Sequence, residues 1–331
     1  MQQGGTRVLL ADIGGTNARF ALADCHAPMP LQDDSVREFP VVQFSSLADA
    51  ARHYLQITGA QSRHAVFAVA GRVDGDQARI TNHPWLISGE QTRLALGLDS
   101  LQLVNDFSAQ AMALPLLRKQ DIVPIGVHGW EGMPAQSDGT WAVIGPGTGL
   151  GVGALLRRDG RLHALQSEGG HSGFAPGTPE EVAILQYLSR IHGRVSHERL
   201  LSGAGLVNLH SALAAIAGEA TAPDGQTMQP WDITAGAQAG DARCLCTIEL
   251  FCGLLGAAAG DLVLTLGAWD GVLLTGGLVP RLLPWLLTSQ FRARFELKGR
   301  FAVAMAQVPA LAVVHPQPGL LGAAAIALAT D

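Results

Sequence analysis

Residues 8–22 read VLLADIGGTNARFAL. An apolar run that contains one carboxylate, Asp12, stops at Gly14 and Gly15, and a second apolar run covers 18–22. Short apolar runs on either side of a glycine-rich break are typical of two strands joined by a tight turn. The stretch therefore predicts a β-hairpin whose first strand ends with a carboxylate beside the turn.

A second stretch repeats this pattern 132 residues later. Residues 141–154 read WAVIGPGTGLGVGA, in which the Gly-Thr pair at 147–148 aligns with the Gly-Thr pair at 15–16. Such internal similarity indicates two related α/β halves, each opening with a strand–turn–strand hairpin. Ile144 stands where the first copy has Asp12, so we expect the two turns to differ in chemistry.

The rest of the chain alternates between strand and helix patterns, which indicates an α/β architecture. Predicted strands lie at 38–43, 65–70, 101–105, 271–274, 301–307 and 311–314. Predicted helices lie at 46–58, 88–97, 107–118, 179–192, 203–218, 241–267 and 318–329, with a surface loop at 219–230.

Length and composition favour a globular protein of two domains. The chain has 331 residues, against about 100–200 for one domain. It is 48% hydrophobic and 15% charged, which argues against disorder. The net charge of -6 gives no basic footprint for nucleic acid. The first residues lack a basic segment followed by an apolar one, so the four cysteines are expected to stay reduced in the cytoplasm.

Two apolar segments have alternative interpretations. Residues 301–330 contain no Asp, Glu, Lys or Arg, as a membrane span would, but three prolines interrupt them. We predict buried strands and a buried helix there. The cysteines at 244–252 lack the paired C-x2-C spacing of zinc sites and lie in an apolar helical pattern, so we predict core cysteines.

Glycine-rich turns after strands let backbone N–H groups approach an anion without obstruction by a Cβ atom. Three such turns occur, at 14–17, 145–151 and 275–277, and together they predict a nucleotide phosphate site. The Walker pattern G-x-x-x-x-G-K-[ST] is absent, because neither of the two lysines follows a glycine. A G-x-G-x-x-A match at 149–154 runs into an apolar strand instead of a helix, so we interpret it as chance.

Two carboxylates lie at predicted strand ends. Asp12 is suited to hold Mg²⁺ beside phosphates, or to cap the turn by accepting backbone N–H bonds, and the motif alone favours neither. Asp106 follows Asn105 at the carboxyl end of strand 101–105, where open α/β sheets bind ligands. Asp106 is a candidate base for a substrate hydroxyl or the N-cap of the next helix, a role that Asn105 can also fill.

Three further side chains have the chemistry that recognises vicinal hydroxyls. Glu168 and His171 flank two glycines, which favour a loop that carries both side chains over a helix. Glu198 lies at a predicted helix start, where a first-turn glutamate is common, so its role stays open between cap and ligand.

Together these motifs resemble the bacterial glucokinase family of the hexokinase/actin-like ATPase superfamily. The resemblance rests on segments that occur in the family's order across nearly the whole chain. They are ADIGGTNARF (11–20), TNHPW (81–85), NDF (105–107), IGPGTGLG (144–151), EGGH (168–171), ERLLSG (198–203) and LTGG (274–277).

The resemblance implies a two-domain α/β fold of the actin-like ATPase (ribonuclease-H-like) type with a central cleft. Residues 1–117 plus 312–331 would form the small domain and 118–311 the large domain. ATP and sugar would bind between them, and the final helix would return to the first domain. A cytoplasmic homodimer without nucleic-acid or membrane partners is expected.

The resemblance also implies roles for individual residues. Asp106 would deprotonate the sugar 6-hydroxyl, and Asp12 would hold Mg²⁺, directly or through water. The implied sugar ligands are Asn82, Asn105, Asp106, Glu168, His171 and Glu198. The implied ATP ligands are Asp12, Gly14, Gly15, Thr16, Asn17, Gly147, Thr148, Gly276 and Gly277, the last two on the adenosine side.

The implied reaction is transfer of the γ-phosphoryl group of ATP to O6 of glucose. One alternative is a broader hexose or glucosamine kinase of the same fold. Others are an NAD-dependent oxidoreductase that uses 149–154, a chaperone or filament ATPase, and a sugar-sensing regulator. The regulator would need a DNA-binding helix-turn-helix before the first hairpin, and residue 8 already lies in that hairpin.

Overall fold

The computed structural model describes residues 7–80, 85–134, 137–219 and 228–330. The strands are β1 (Arg7–Ile13), β2 (Asn17–Asp24), β3 (Arg37–Pro40), β4 (His64–Val69), β5 (Val73–Asp74), β6 (Gln77–Arg79), β7 (Leu86–Ser88), β8 (Ser100–Asn105), β9 (Ile122–Pro124), β10 (Gly139–Pro146), β11 (Leu150–Arg158), β12 (Arg161–Ser167), β13 (Gly271–Leu274) and β14 (Ala310–Val313). The helices are α1 (Leu47–Thr58), α2 (Gly89–Leu96), α3 (Asp106–Met112), α4 (Pro179–His192), α5 (Gly203–Ile216), α6 (Pro230–Gln238), α7 (Ala242–Leu266), α8 (Val279–Leu286), α9 (Phe291–Glu296), α10 (Ala302–Met305) and α11 (Pro318–Thr330).

Two mixed sheets share one plan. The first has the order β3-β2-β1-β4-β8, and the second has the order β12-β11-β10-β13-β14-β9. In each, an antiparallel hairpin (β1–β2 or β10–β11) continues through parallel strands (β4 and β8, or β13 and β14). Both predicted hairpins and the internal repeat are therefore confirmed. A three-stranded sheet, β5-β6-β7, accompanies the first.

Strands β1 and β10 are covered on both faces, which is why their sequences are continuous apolar runs. On β1, Leu9 and Ala11 belong to one core cluster, whereas Val8 and Leu10 belong to another. The second cluster also takes residues from β10, α3 and α11, so these two helices fill the space between the sheets. Side chains two apart share a face of a strand, so Asp12 points toward α11 with Val8 and Leu10.

Most predicted elements are confirmed, and three need correction. Residues 301–307 are not a strand: they form a helical turn and α10, with Met305 and Val308 buried at helical spacing and Val303 82% exposed. The strand at 38–43 ends at Pro40. The helix at 107–118 ends at Met112, and a 3-10 turn follows because Pro115 cannot continue the helix.

Helix α7 forms the spine of the large hydrophobic core. Among the described residues it is the one helix long and apolar enough to cross a membrane, but 67% of its most apolar window is buried inside the protein. The cysteines at 244 and 252 are buried and free, as predicted for core residues, and Cys246 is exposed. Burial raises the pKa of the Cys252 thiol to about 12, so this thiol is unreactive.

Candidate active site

Asn105 caps helix α3 and leaves the adjacent Asp106 carboxylate at the sheet edge. Its Oδ1 accepts hydrogen bonds from the backbone N–H groups of Phe107 (2.9 Å) and Ser108 (3.1 Å), and its Nδ2 donates to the Gly71 carbonyl (2.9 Å). The Asp106 carboxylate accepts from backbone N–H groups next to it, that of Phe107 (3.0 Å) and its own. Asn105 therefore fills the capping role, which resolves that open alternative for Asp106.

The pKa of Asp106 is raised to about 7. Burial is the largest cause, the negative charge of Asp12 is the second, and that of Glu168 contributes less, while the backbone N–H groups of Phe107 and of Asp106 itself oppose the shift. Asp12, Asp106 and Glu168 are thus close enough to interact electrostatically. A carboxylate that titrates near neutrality suits a general base, since proton transfer is most efficient when the pKa of the base lies near the working pH.

Asp12 lies in a tight pocket between its own hairpin and the start of α11. A Cβ atom at Gly319 would lie 2.6 Å from Asp12 Oδ2, so the helix reaches this carboxylate only because residue 319 is glycine. Burial raises the pKa of Asp12, and Arg19 opposes that shift. The hairpin turn closes through the Gly14 N–H to the Asn17 carbonyl (2.9 Å). In the described residues no backbone N–H bonds to the Asp12 carboxylate, so the capping interpretation lacks support.

Arg19 is the cation beside Asp12, and it is absent from the predicted site residues. It lies opposite Asp12 in the β1–β2 register, with Nη1 3.9 Å from Asp12 Oδ2. Glu38 on β3 holds it through Nε (2.8 Å) and also accepts from the Asn17 amide (2.5 Å). The sequence does indicate that Arg19 lies near Asp12, because two residues equidistant from a tight turn face each other across a hairpin. The two lysines are occupied elsewhere, Lys119 near Glu131 and Lys298 on Asp261.

The glycines of the 145–151 turn serve different purposes. A Cβ atom at Gly151 would lie 1.8 Å from the Phe107 ring, and one at Gly149 would lie 2.5 Å from Glu198 Oε2. Gly147 is open, with no heavy atom closer to its Cβ position than Gly277 N at 4.0 Å. Only part of this glycine-rich pattern therefore leaves room for a phosphate. The tip residue Thr148 is exposed, as is Thr16 in the first hairpin.

The third glycine turn lies against the second. Gly276 has φ +86°, which favours glycine, and a Cβ atom there would lie 2.6 Å from the Pro146 carbonyl oxygen. The Leu278 N–H donates to the same carbonyl (3.1 Å). The turns meet because β10 and β13 are parallel neighbours, whose carboxyl ends share one sheet edge.

The predicted sugar ligands of the large sheet form a second cluster. Glu168 precedes a 3-10 turn that carries His171, so neither lies on an α-helix, as predicted. His171 Nδ1 is 3.8 Å from Glu198 Oε1, while Glu198 Oε2 accepts from the Leu150 N–H (2.9 Å). Glu198 thus links this cluster to the 145–151 turn. Asn82 lies outside the described residues.

A magnesium site must be judged from the donors present. The described residues contain no group of three or more His, Cys, Asp or Glu side chains arranged to hold a metal ion. Mg²⁺ usually keeps several waters and binds through one or two carboxylates plus substrate phosphates. A single carboxylate beside a glycine turn, as Asp12 is, fits that mode of binding.

Comparison with known proteins identifies the family of this chain. The family model described as Glucokinase matches residues 9–330. A glucokinase from Xanthomonas campestris pv. campestris (strain B100) is 60% identical over 321 residues, which cover 97% of this chain and 95% of that protein.

Solved structures show the same fold. A glucokinase from an Antarctic psychrotroph aligns with TM-score 0.85 and 36% identity, over 98% of this chain and 99% of that one. A ROK family glucokinase from Streptomyces griseus, in complex with glucose and AMPPNP, aligns with TM-score 0.64 and 21% identity over 97% and 98% of the two chains, a likeness of fold alone. The predicted actin-like α/β fold is thereby confirmed. Since sequence and structure match along almost the entire length, this sugar kinase belongs to the glucokinase family.

Proposed function

We propose that this protein transfers the γ-phosphoryl group of ATP to the 6-hydroxyl of glucose, giving glucose 6-phosphate and ADP. The observation that carries the proposal is the Asp106 carboxylate, which lies at a sheet edge and whose pKa is raised to about 7, in part by the negative charges of Asp12 and Glu168. A base on the sugar side and a carboxylate at a phosphate loop are what hydroxyl phosphorylation needs.

Asp106 accepts the proton of the sugar 6-hydroxyl while the hydroxyl oxygen forms a bond to the γ-phosphorus. The bond from that phosphorus to the β–γ bridging oxygen breaks, and ADP leaves with the electron pair. The proton then passes from Asp106 to solvent. Phosphoryl transfer requires mainly positioning and neutralisation of charge, so the remaining residues orient the two substrates.

Four residues are placed to receive the phosphates. Thr16 and Thr148 present hydroxyl and N–H groups at the tips of their hairpins, and Arg19 supplies positive charge beside Asp12. Gly147 leaves room for close approach. The predicted ligands Gly14, Gly15 and Asn17 line the first turn, and Gly276 and Gly277 would take the adenosine side. Mg²⁺, when bound through Asp12, supplies further neutralisation of phosphate charge.

The sugar would lie against Asp106, Glu168, His171 and Glu198. Asn105 is 8% exposed and uses Oδ1 and one N–H group on the backbone, which leaves its second amide N–H for a sugar hydroxyl. A coupled assay with ATP and a panel of glucose, mannose and glucosamine tests this proposal. Glucose should have the highest kcat/KM, and equal rates for all three would favour the broader hexose kinase.

The rate should depend on the ionisation of Asp106. The carboxylate must be ionised to accept a proton, and its pKa lies near 7 instead of the ordinary 3.8. We therefore expect kcat/KM for glucose to fall about tenfold per pH unit below about 7 and to level off above it. A coupled assay between pH 5.5 and 9 measures the profile. An unchanged rate down to pH 5.5 would contradict the assignment.

Sugar binding should close the cleft, because closure excludes water that would compete with the sugar for the phosphoryl group. Saturating glucose should compact the protein in solution scattering and protect the amides of 105–107 and 168–171 from hydrogen exchange. An unchanged scattering profile and exchange pattern would instead indicate a preformed site.

The domain boundaries, the cellular location and the oligomeric state are further predictions. The division into 1–117 plus 312–331 and 118–311 is supported by the two main sheets, since β1–β8 and β9–β14 never share one, and by α11, which packs on β1 and β4. Its boundary at 311/312 would cut β14 (Ala310–Val313), which pairs with β13 in the second sheet, so we place that boundary after Val313. The cytoplasmic homodimer without nucleic-acid or membrane partners stays a prediction from the family. Sedimentation equilibrium of the purified protein tests the dimer.

A further inference from the structure

Helix α3 carries Asp106 at its first position and contacts the second sheet. The Phe107 ring lies over Gly145 and Gly151, which are register partners on β10 and β11. A Cβ atom at Gly145 would come within 2.7 Å of the ring, and one at Gly151 within 1.8 Å. The residue next to Asp106 is therefore seated on the hairpin of the second phosphate turn.

A hydrogen bond makes the second attachment, one helical turn further along α3. Thr275 Oγ1 donates to Gln110 Oε1 at 2.6 Å, and Thr275 is 2% exposed. The Thr275 N–H is itself bonded to the Ile144 carbonyl (2.9 Å), so the threonine is fixed to β10. Thr275 immediately precedes the third glycine turn.

The other side of α3 offers little freedom. A Cβ atom at Gly322 would lie 1.6 Å from the Ala109 carbonyl oxygen, so α3 and α11 touch backbone to backbone. Because α11 fixes one side of this short helix, its remaining freedom is limited by the contacts on the other side. Phe107 and Gln110 make such contacts with the second sheet and its third glycine turn.

We propose that Phe107 and Gln110 are positioning residues, which set the Asp106 carboxylate from the two turns on the nucleotide side. The inference rests on the proposed function, in which Asp106 is the base. It explains why Gly145 and Gly151 must be glycine although neither is open to a phosphate. A misplacement of about 1 Å at a reacting group can cost about a hundredfold in rate, so these contacts act on kcat.

The hydrogen bond is tested by a double-mutant cycle with Thr275→Val, Gln110→Met and the double variant. Each single change should lower kcat about tenfold and leave the glucose dissociation constant, measured by tryptophan fluorescence, near that of the parent protein. The double variant should be no slower than the slower single variant, since both remove one interaction. Thr275→Ser keeps the hydroxyl and should restore kcat. Thr247→Val, which removes a buried hydroxyl bonded within α7, is the matched control and should leave kcat unchanged.

The ring seat is tested by a second cycle. Gly151→Ala should displace the ring and lower kcat about a hundredfold, and Phe107→Ala should have a similar effect. Gly151→Ala should cost nothing further in the Phe107→Ala background, because the space is then free. The losses should persist at pH 9, where Asp106 is ionised, which separates position from protonation. Thermal unfolding of every variant confirms that it is folded.

The positioning role and the proposed function are tested by different outcomes. Additive losses in both cycles, or equal losses in kcat and glucose affinity, would overturn the positioning role while the parent protein still phosphorylates glucose. Absence of glucose phosphorylation by the parent protein and by Thr247→Val would instead overturn the proposed function.

Discussion

Replacing Asp106 with Asn should lower kcat for glucose phosphorylation at least about a hundredfold. A sugar hydroxyl is a poor nucleophile while it keeps its proton, and the proton must leave as the bond to phosphorus forms. Asn keeps the shape of the side chain and one acceptor oxygen but removes its basicity. A positioned base accelerates such a step by about 10²–10⁴, which is roughly 3–5 kcal/mol of barrier.

Substrate binding should change much less than turnover. The affinity for ATP should be retained, and that for glucose should drop modestly, because one charge-assisted hydrogen bond becomes neutral. The measurement is a coupled assay at pH 8, with affinities from equilibrium binding. A kcat within a few-fold of the parent protein would make Asp106 a structural residue, and Glu168 would then be the next candidate base.

The stability of this variant is an internal control. The pKa of Asp106 is raised from 3.8 to about 7 by folding, so ionisation is easier in the unfolded chain. The carboxylate therefore costs stability that is absent below pH 3.8, grows between the two values and is complete above about 7. Asp106→Asn should unfold at a higher temperature than the parent protein at pH 8, and the difference should shrink toward pH 4.

Local patterns predicted the hairpins and most helices because buried positions recur at regular spacing within these elements. The apolar run of β1 alternates between two cores, and α4 begins at Pro179 after a capping Thr178, as its sequence pattern indicates. The strand prediction at 301–307 was wrong, since Ala302, Ala304 and Met305 are good helix formers. Packing of Met305 and Val308 on the core decides in favour of a helix there.

The site was harder to predict because its contacts join distant segments. Gly145 and Gly151 belong to a turn that was predicted to bind phosphate, yet the ring of Phe107 lies on them. No local pattern reveals that an aromatic residue of a helix distant in sequence lies there. The same holds for the bond from Thr275 to Gln110, which spans 165 positions. The capping role of Asn105 was predictable, since an Asn just before a helix is a favoured cap and leaves the adjacent Asp106 for another role.

Replacing Asp12 with Asn should lower turnover on the order of a hundredfold, since a metal ion on a transferring phosphoryl group is worth several kcal/mol. Asp12 is the carboxylate at the first phosphate turn, and Arg19 lies 3.9 Å from it. Asn preserves the packing against Gly319 but is a weaker ligand for Mg²⁺. Raising the Mg²⁺ concentration should recover part of the lost rate.

Glucose binding in the absence of nucleotide should stay near that of the parent protein, because Asp12 is not among the proposed sugar ligands. Asp12 also raises the pKa of Asp106. Its neutralisation should therefore move the acid limb of the residual activity to lower pH. Asp24→Asn is the matched control, since Asp24 lies opposite Arg7 in the strand register at the other end of the same hairpin. Near-normal turnover of Asp12→Asn, with an unmoved acid limb, would leave Asp12 a structural residue of the turn and remove it from the chemistry.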